Sequence, residues 1–318
     1  MRLFVIFMAV AVWLAGATAV PVRSQSAQGT WAEKARLGEQ RTEAAVVALN
    51  GKIHVLGGMA RGQDSSTLHQ EYDPAADRWR ERAPMPHALS HAGAAAMNGK
   101  IYVVGGFLRN VHLDAQDLAY EYDAAKDTWR ALPTLKSPRG AVGVAAINGK
   151  VYAIGGRDVD RKTVATHEVF DVVTGRWSEL APLPRARDHM ATVAVDGQVH
   201  VIGGRFDAST DNTGMHDVFD PATKTWKSAA PMPTPRSGVA AALYRGRIVV
   251  AGGECNGGKL FTEAEAYDVK SGRWSTLPPV PSPRHGWNAA TDGRTLFFPG
   301  GAPACGTGAS DTLQTLRY

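Results

Sequence analysis

The sequence predicts an all-β protein of six repeated four-stranded units closed into a ring, and three observations predict it. Gly-Gly pairs recur at near-constant spacing, at Gly57-Gly58, Gly105-Gly106, Gly155-Gly156, Gly203-Gly204, Gly252-Gly253 and Gly300-Gly301. A tryptophan precedes the first glycine of every pair by one unvarying interval, at Trp31, Trp79, Trp129, Trp177, Trp226 and Trp274. An aromatic-Asp pair precedes five of these tryptophans, again by a step that never changes: Tyr72-Asp73, Tyr122-Asp123, Phe170-Asp171, Phe219-Asp220 and Tyr267-Asp268. Such periodicity outranks local reading, because a repeat buries its apolar face only against its neighbours.

Within a unit the first two strands are short apolar runs, such as Ala44 to Leu49 and Ile53 to Leu56, around the hairpin signal Asn50-Gly51. The signal recurs at Asn98-Gly99, Asn148-Gly149, Asp196-Gly197 and Asp292-Gly293, with Arg245-Gly246 as an irregular copy. The third strand ends at the aromatic-Asp pair and the fourth begins at the tryptophan. The stretch from the second glycine to that aspartate is the one interval that changes from unit to unit, so length variation is confined to one loop per unit. Trp31 is a fourth-strand tryptophan with no first three strands before it, and one strand, near Asp311 to Tyr318, follows Gly301. The strand around Trp31 is therefore expected to complete the last unit, which leaves no open sheet edge.

From about Thr30 to Tyr318 these motifs, in register, resemble the kelch repeat. The resemblance implies a six-bladed β-propeller with four-stranded blades stacked radially. The repeated residues are then architectural: glycine allows close backbone approach, the aromatics fill the space between blades, and the aspartate makes a turn.

Before the repeats, Arg2 precedes an uncharged run from Leu3 to Ala15, and Ala17-Thr18-Ala19 offers a peptidase small residues. The expected organisation is a signal peptide at 1–19, a linker at 20–29 and the propeller at 30–318. The protein is then exported, periplasmic or secreted; the alternative is an uncleaved N-terminal helix holding it to the membrane. Hydrophobic residues at 44%, charged residues at 20% and a mean hydropathy of -0.20 exclude a disordered tail, a collagen-like rod and a polytopic membrane protein. A net charge of +5 without any block of like charges indicates neither nucleic acid nor a membrane surface as partner, and no membrane span remains after cleavage. Cys255 and Cys305, the two cysteines, each lie early in the loop after a Gly-Gly pair, in neighbouring units. A disulfide suits export, with two free thiols as the alternative. Lacking a nearby histidine they make a poor zinc set, and no metal or cofactor is expected.

Function is expected on the face where loop length varies. Met59, Phe107, Arg157, Arg205, Glu254 and Ala302 follow the Gly-Gly pairs and should ring the channel. Arg41, Arg139, Arg187, Arg236 and Arg284 precede their Gly-Gly pairs by one fixed step, with Leu89 breaking the series; their recurrence favours a framework role. Residues that differ between units are the site candidates: Arg157, Arg205, Glu254, His91, His189, Glu43 and His285. No Gly-x-Ser-x-Gly, His-Glu-x-x-His, P-loop or dinucleotide fingerprint is present. The seven blades and Cys-Tyr crosslink of galactose-oxidase-like enzymes, and the Glu-x-x-x-Asp-x-x-x-His run of specifier proteins, have no counterpart.

The first functional reading is a binding module that grips a protein, peptide or glycan, anionic ligands included, through the variable loops. A protein partner would need exposed apolar anchors, for which Phe107, Leu108, Leu260 and Phe261 are the candidates. The second reading resembles the periplasmic kelch-type sialic acid epimerases. There Glu254 or Glu43 with His189 would exchange the proton of an anomerisation, and Arg157 with Arg205 would hold the sugar carboxylate. Trp287, outside the repeat, either packs in a first strand or stacks on a sugar.

Overall fold

Short apolar runs joined by tight turns pair into six antiparallel four-stranded sheets in a computed structural model that describes residues 29–60, 64–109, 112–255 and 257–318. The expected leader at 1–19 and the linker up to residue 28 lie outside the described residues. Among the described residues there is no helix, hence none long and apolar enough to cross a membrane. The molecule is a six-bladed β-propeller. Blade 1 runs Ala45–Leu49, Lys52–Leu56, His69–Asp73 and Arg78–Glu81, and blades 2 to 5 repeat that order. In blade 6 the strands Ala290–Thr291, Leu296–Pro299 and Leu313–Arg317 take Thr30–Lys34 as their fourth member, with Trp31 opposite Leu316. Closure through the N-terminal strand is thus as the repeat count requires.

Turn chemistry explains the hairpins. Asn50 and Gly51 both have positive φ (52° and 72°), as a tight turn matched to strand twist demands, and Arg245 adopts the same conformation at 50°. Asp292-Gly293 departs from expectation. Thr291 pairs with Leu296 around a longer loop, and the Asp292 carboxylate accepts from the Arg294 and Thr295 N–H groups at 2.8 and 2.7 Å. Two ribbons not foreseen from the sequence pair Arg41–Thr42 with Met59–Ala60 and Phe107–Arg109 with Leu113–Ala115.

Two six-membered sets of contacts join the blades. On the inside, the second glycine of each pair donates its N–H to a carbonyl of the next blade, from Gly58 to Leu89 at 2.8 Å round to Gly301 to Arg41 at 2.8 Å. The first glycine makes that approach possible: a Cβ on Gly105 would stand 2.3 Å from the Arg139 carbonyl oxygen. Outside, each tryptophan Nε1 donates to the carbonyl just past the preceding blade's fourth strand, as Trp79 does to Ala35 at 2.7 Å and Trp31 to Pro278 at 3.0 Å. The aromatic before aspartate lies opposite its tryptophan, Tyr72 against Trp79 with ring centroids 5.0 Å apart, and the Asp73 carboxylate closes a turn on the Ala75 N–H at 2.9 Å.

The arginine series is framework. Arg41, Arg139, Arg187 and Arg236 are fully buried and bond the second residue of their blade's third strand: Gln70 at 2.8 Å, Glu168 at 2.6 Å, Asp217 at 2.7 Å and Glu265 at 2.5 Å. Arg284 bonds Ser310 and Thr312 instead. Blade 2 replaces the pair by buried Leu89 and Tyr120, whose hydroxyl meets His87 Nδ1 at 2.6 Å. Trp287 is buried against Phe298, so it packs and offers no stacking face.

Candidate functional site

Just after each arginine position the chain turns into the first strand through a left-handed residue. The six are Glu43, His91, Ala141, His189, Gly238 and Gly286, with φ between 50° and 60°. Backbone bonds link them round the axis: Glu43 N–H to Gly286, His91 to Glu43 and Ala141 to His91 on one side, Gly238 to His189 and Gly286 to Gly238 on the other, at 2.6 to 3.2 Å. Glycine would fit this conformation without strain, whereas a side chain costs about 1–2 kcal/mol. Three blades nevertheless place Glu43, His91 and His189 there. Strain retained at ionisable side chains over a channel mouth points to a site. Gly286 also makes room for one of them, since its Cβ would fall 2.1 Å from Glu43 Oε1.

The residue before each left-handed position pairs with the residue after Gly-Gly, Asp188 with Arg205 and His285 with Ala302 for instance. That register brings the variable loops over the mouth. All seven candidates, Glu43, His91, Arg157, His189, Arg205, Glu254 and His285, line one cavity of ≈ 310 Å³, drawn from all six blades. Beneath it, first-strand residues such as Ala45, Ala94, Gly143, Thr192, Ala241 and Ala289 line an axial channel of ≈ 170 Å³.

Asp188, which the sequence reading missed, organises the charges. Fully buried, it accepts from His189 Nδ1 at 2.5 Å and Arg205 Nε at 3.0 Å, with Arg157 Nε 3.7 Å away. Arg205 also pairs through Nη1 with Glu254, and Arg157 donates to the carbonyls of Arg161 and Asp207. Both guanidinium charges are therefore engaged within the protein. Glu43 lies 3.5 Å from His91 Nε2 and 4.0 Å from His285 Nδ1. Burial pushes the Glu43 and Glu254 carboxyls up, against opposing pulls from His285 and Arg205 on the first and Arg205 on the second. Burial, reinforced by Arg205, holds His91 down at about 3 and His189 well below its ordinary value, so both rings are neutral.

His112 was also missed. It immediately precedes the Leu113–Ala115 strand of the ribbon that Phe107 opens, in the loop with the longest interval, and stands beside His91 and His189 with ring centroids 4.9 and 5.0 Å away. The sequence signal was that loop length. For Asp188 it was a carboxylate at a position otherwise held by Thr42, Ser90, Gly140, Ser237 and His285. Among the apolar anchor candidates Phe107 is corrected, being fully buried against His91 and His112, while Leu108, Leu260 and Phe261 are half-buried. Cys255 and Cys305 form a disulfide, Cα atoms 5.5 Å apart, tying the loop that carries Glu254 to the blade 6 loop.

Comparison with known families decides the lineage of this ring. The family model described as the KLHDC2/KLHL20/DRC7 Kelch-repeats domain matches residues 90–301, and the Kelch motif matches residues 40–86. The chain belongs to the kelch-repeat family. A search of curated proteins found no match. Among solved structures, this kelch propeller is similar to one titled "Structure of YjhT", with a TM-score of 0.74, 18% identity, and 89% of this chain and 99% of that chain covered. At that identity the likeness shows the fold. A kelch propeller is a scaffold for binding.

Proposed function

We propose that this kelch propeller binds a small hydroxyl-rich ligand, of the glycan class, in the cavity at the channel mouth. One observation carries the reading: seven polar side chains from six blades converge on ≈ 310 Å³, while the apolar candidates for a protein contact, Phe107, Leu108, Leu260 and Phe261, are buried or half-buried. Neutral imidazoles, engaged arginines and carboxyls of raised pKa supply donors and acceptors for hydroxyl groups. An acidic sugar would have to displace Glu254 from Arg205, so neutral sugars are preferred. A disulfide and the leader-like N-terminus support export as the setting.

Thermal melts against neutral and acidic sugars test this, because a ligand at 100 times its Kd stabilises by about 2.7 kcal/mol. The expected result is a shift with a neutral sugar that is lost in Glu43→Gln. Capture of a protein partner whose binding survives Glu43→Gln, with no sugar response, would overturn it.

A second reading is favoured by the Glu43 carboxyl facing two imidazoles. His285 Nε2 is engaged by the Ala304 carbonyl at 2.9 Å, which leaves Nδ1 toward Glu43 as the acceptor. Such a pair can take and return a proton, as anomerisation requires. Anomer exchange followed by NMR, fast with the parent protein and slow with Glu43→Gln, is the expected signature; equal rates would exclude it.

A further inference from the structure

We propose that His91, His112 and His189 form a binding site for one divalent transition-metal ion of the zinc class, at the mouth of the channel. The inference does not rest on the glycan reading. One nitrogen from each ring lies within 4.8 Å of the other two. The rings are mutually edge-on, with interplanar angles of 74°, 78° and 77°, so they meet about a common point instead of stacking. Around a tetrahedral ion, with metal–nitrogen bonds of roughly 2.0–2.1 Å, ligand nitrogens stand about 3.4 Å apart. Closing the set therefore takes imidazole rotations on the order of an ångström.

Three further features suit a metal. All three residues have left-handed backbones, with φ of 52°, 61° and 53°, and no other histidine among the described residues does. Strain is thus carried at each proposed ligand. The Asp188 carboxylate accepts a hydrogen bond from His189 Nδ1–H at 2.5 Å and leaves the Nε2 lone pair for an ion, while Ser90 Oγ stands 3.1 Å from His91 Nδ1. A carboxylate behind a ligating imidazole both fixes the tautomer and raises its basicity. Burial first, then Arg205 at His91 and His189 and the adjoining His91 ring at His112, holds all three rings in the neutral form that ligates, His112 at about 2.

Arg205 is the opposing charge, its Nη2 3.3 Å from His189 Nε2. Asp188 and Glu254 bracket it, and with Glu43 they set three carboxyl groups against the two guanidiniums of Arg157 and Arg205. An ion enters as Nη2 releases the ring. The set faces the cavity, which leaves a coordination position open to solvent or ligand, and all-imidazole ligation selects Zn²⁺, Co²⁺, Ni²⁺ or Cu²⁺ over Mg²⁺ and Ca²⁺.

The test uses tag-free protein stripped with chelator and titrated calorimetrically with ZnCl₂, with CoCl₂ followed by visible absorption. One ion per chain is expected, with a low-symmetry cobalt spectrum and no comparable binding of Mg²⁺. His112→Ala, in a surface hairpin, should lower zinc affinity by more than the roughly 10–100-fold that loss of a supporting partner costs. His91→Gly keeps the left-handed backbone and should do the same, each variant's fold being checked by circular dichroism. His87→Ala, at a histidine paired with Tyr120 and outside the cavity lining, should bind as the parent does. Absence of saturable 1:1 binding, affinity unchanged in both cluster variants, or loss in His87→Ala would overturn the proposal.

Discussion

Blade 2 holds Leu89 and Tyr120 where blade 3 holds Arg139 and Glu168, so the molecule contains its own natural experiment on a buried ion pair. Both members change together. Removing one charge alone strands the other in the core, a loss of about 3–5 kcal/mol, whereas exchanging both for packed groups is often neutral. Urea unfolding of Arg139→Leu should show that loss, and adding Glu168→Tyr should restore most of it; a double variant as unstable as the single would refute the exchange. At the mouth, Gly286→Ala should destabilise by more than the backbone cost alone and abolish ligand binding, because its Cβ would displace the Glu43 carboxylate. Gly51→Ala, with φ +72° and nothing within 4 Å, is the comparator and should cost about 1–2 kcal/mol with binding intact. The repeat register made the seven mouth residues legible, because positions that vary within a constant frame stand out. Asp188 escaped because it follows a framework arginine and resembled a turn residue. His112 escaped because only His91 shares its repeat, while His189 enters a blade two places on, a proximity that the ring creates.

Third strands in three blades open with a buried histidine, His69, His167 and His216, each presenting Nδ1 to the carbonyl that also takes the next blade's tryptophan. His54 and His200 of the second strands contact His69 and His216 at 2.9 and 2.8 Å. Burial holds these rings at about 3 to 4, below the ordinary 6.5. The unfolded chain therefore binds more protons between pH 4 and 6.5. Their contribution is complete above pH 6.5 and is lost as the pH falls toward 4, each histidine adding a slope of up to about 1.4 kcal/mol per pH unit. Melting temperatures measured from pH 7.5 to 4 should fall steeply below 6.5, and less so in His200→Gln; a flat profile would show that these rings do not govern acid stability. Strand positions were readable from glycine and tryptophan spacing, but the short ribbons were not, since their pairing depends on where neighbouring loops fold back.

Six equivalent blades need one seam, and here it is the pairing of Thr30–Lys34 with Leu313–Arg317. Deleting residues 30–34 should expose an unpaired strand edge and remove the Trp31 bond to Pro278, leaving a protein that melts broadly and associates through that edge. Size-exclusion chromatography with thermal melts would show this; a sharp transition and a monomer would mean that the other five blades close without it. Blade count and closure were legible because the repeat arithmetic leaves one fourth strand over at Trp31 and a last unit that lacks its own. Seam geometry also sets how the ring answers tension. Thr30 sits opposite Arg317 and Lys34 opposite Leu313, so a pull on the two termini loads one pair of residues at a time. The seam would unzip from that end at low force, without shearing all its pairs together, and blade 6 acts as the mechanical fuse of the ring.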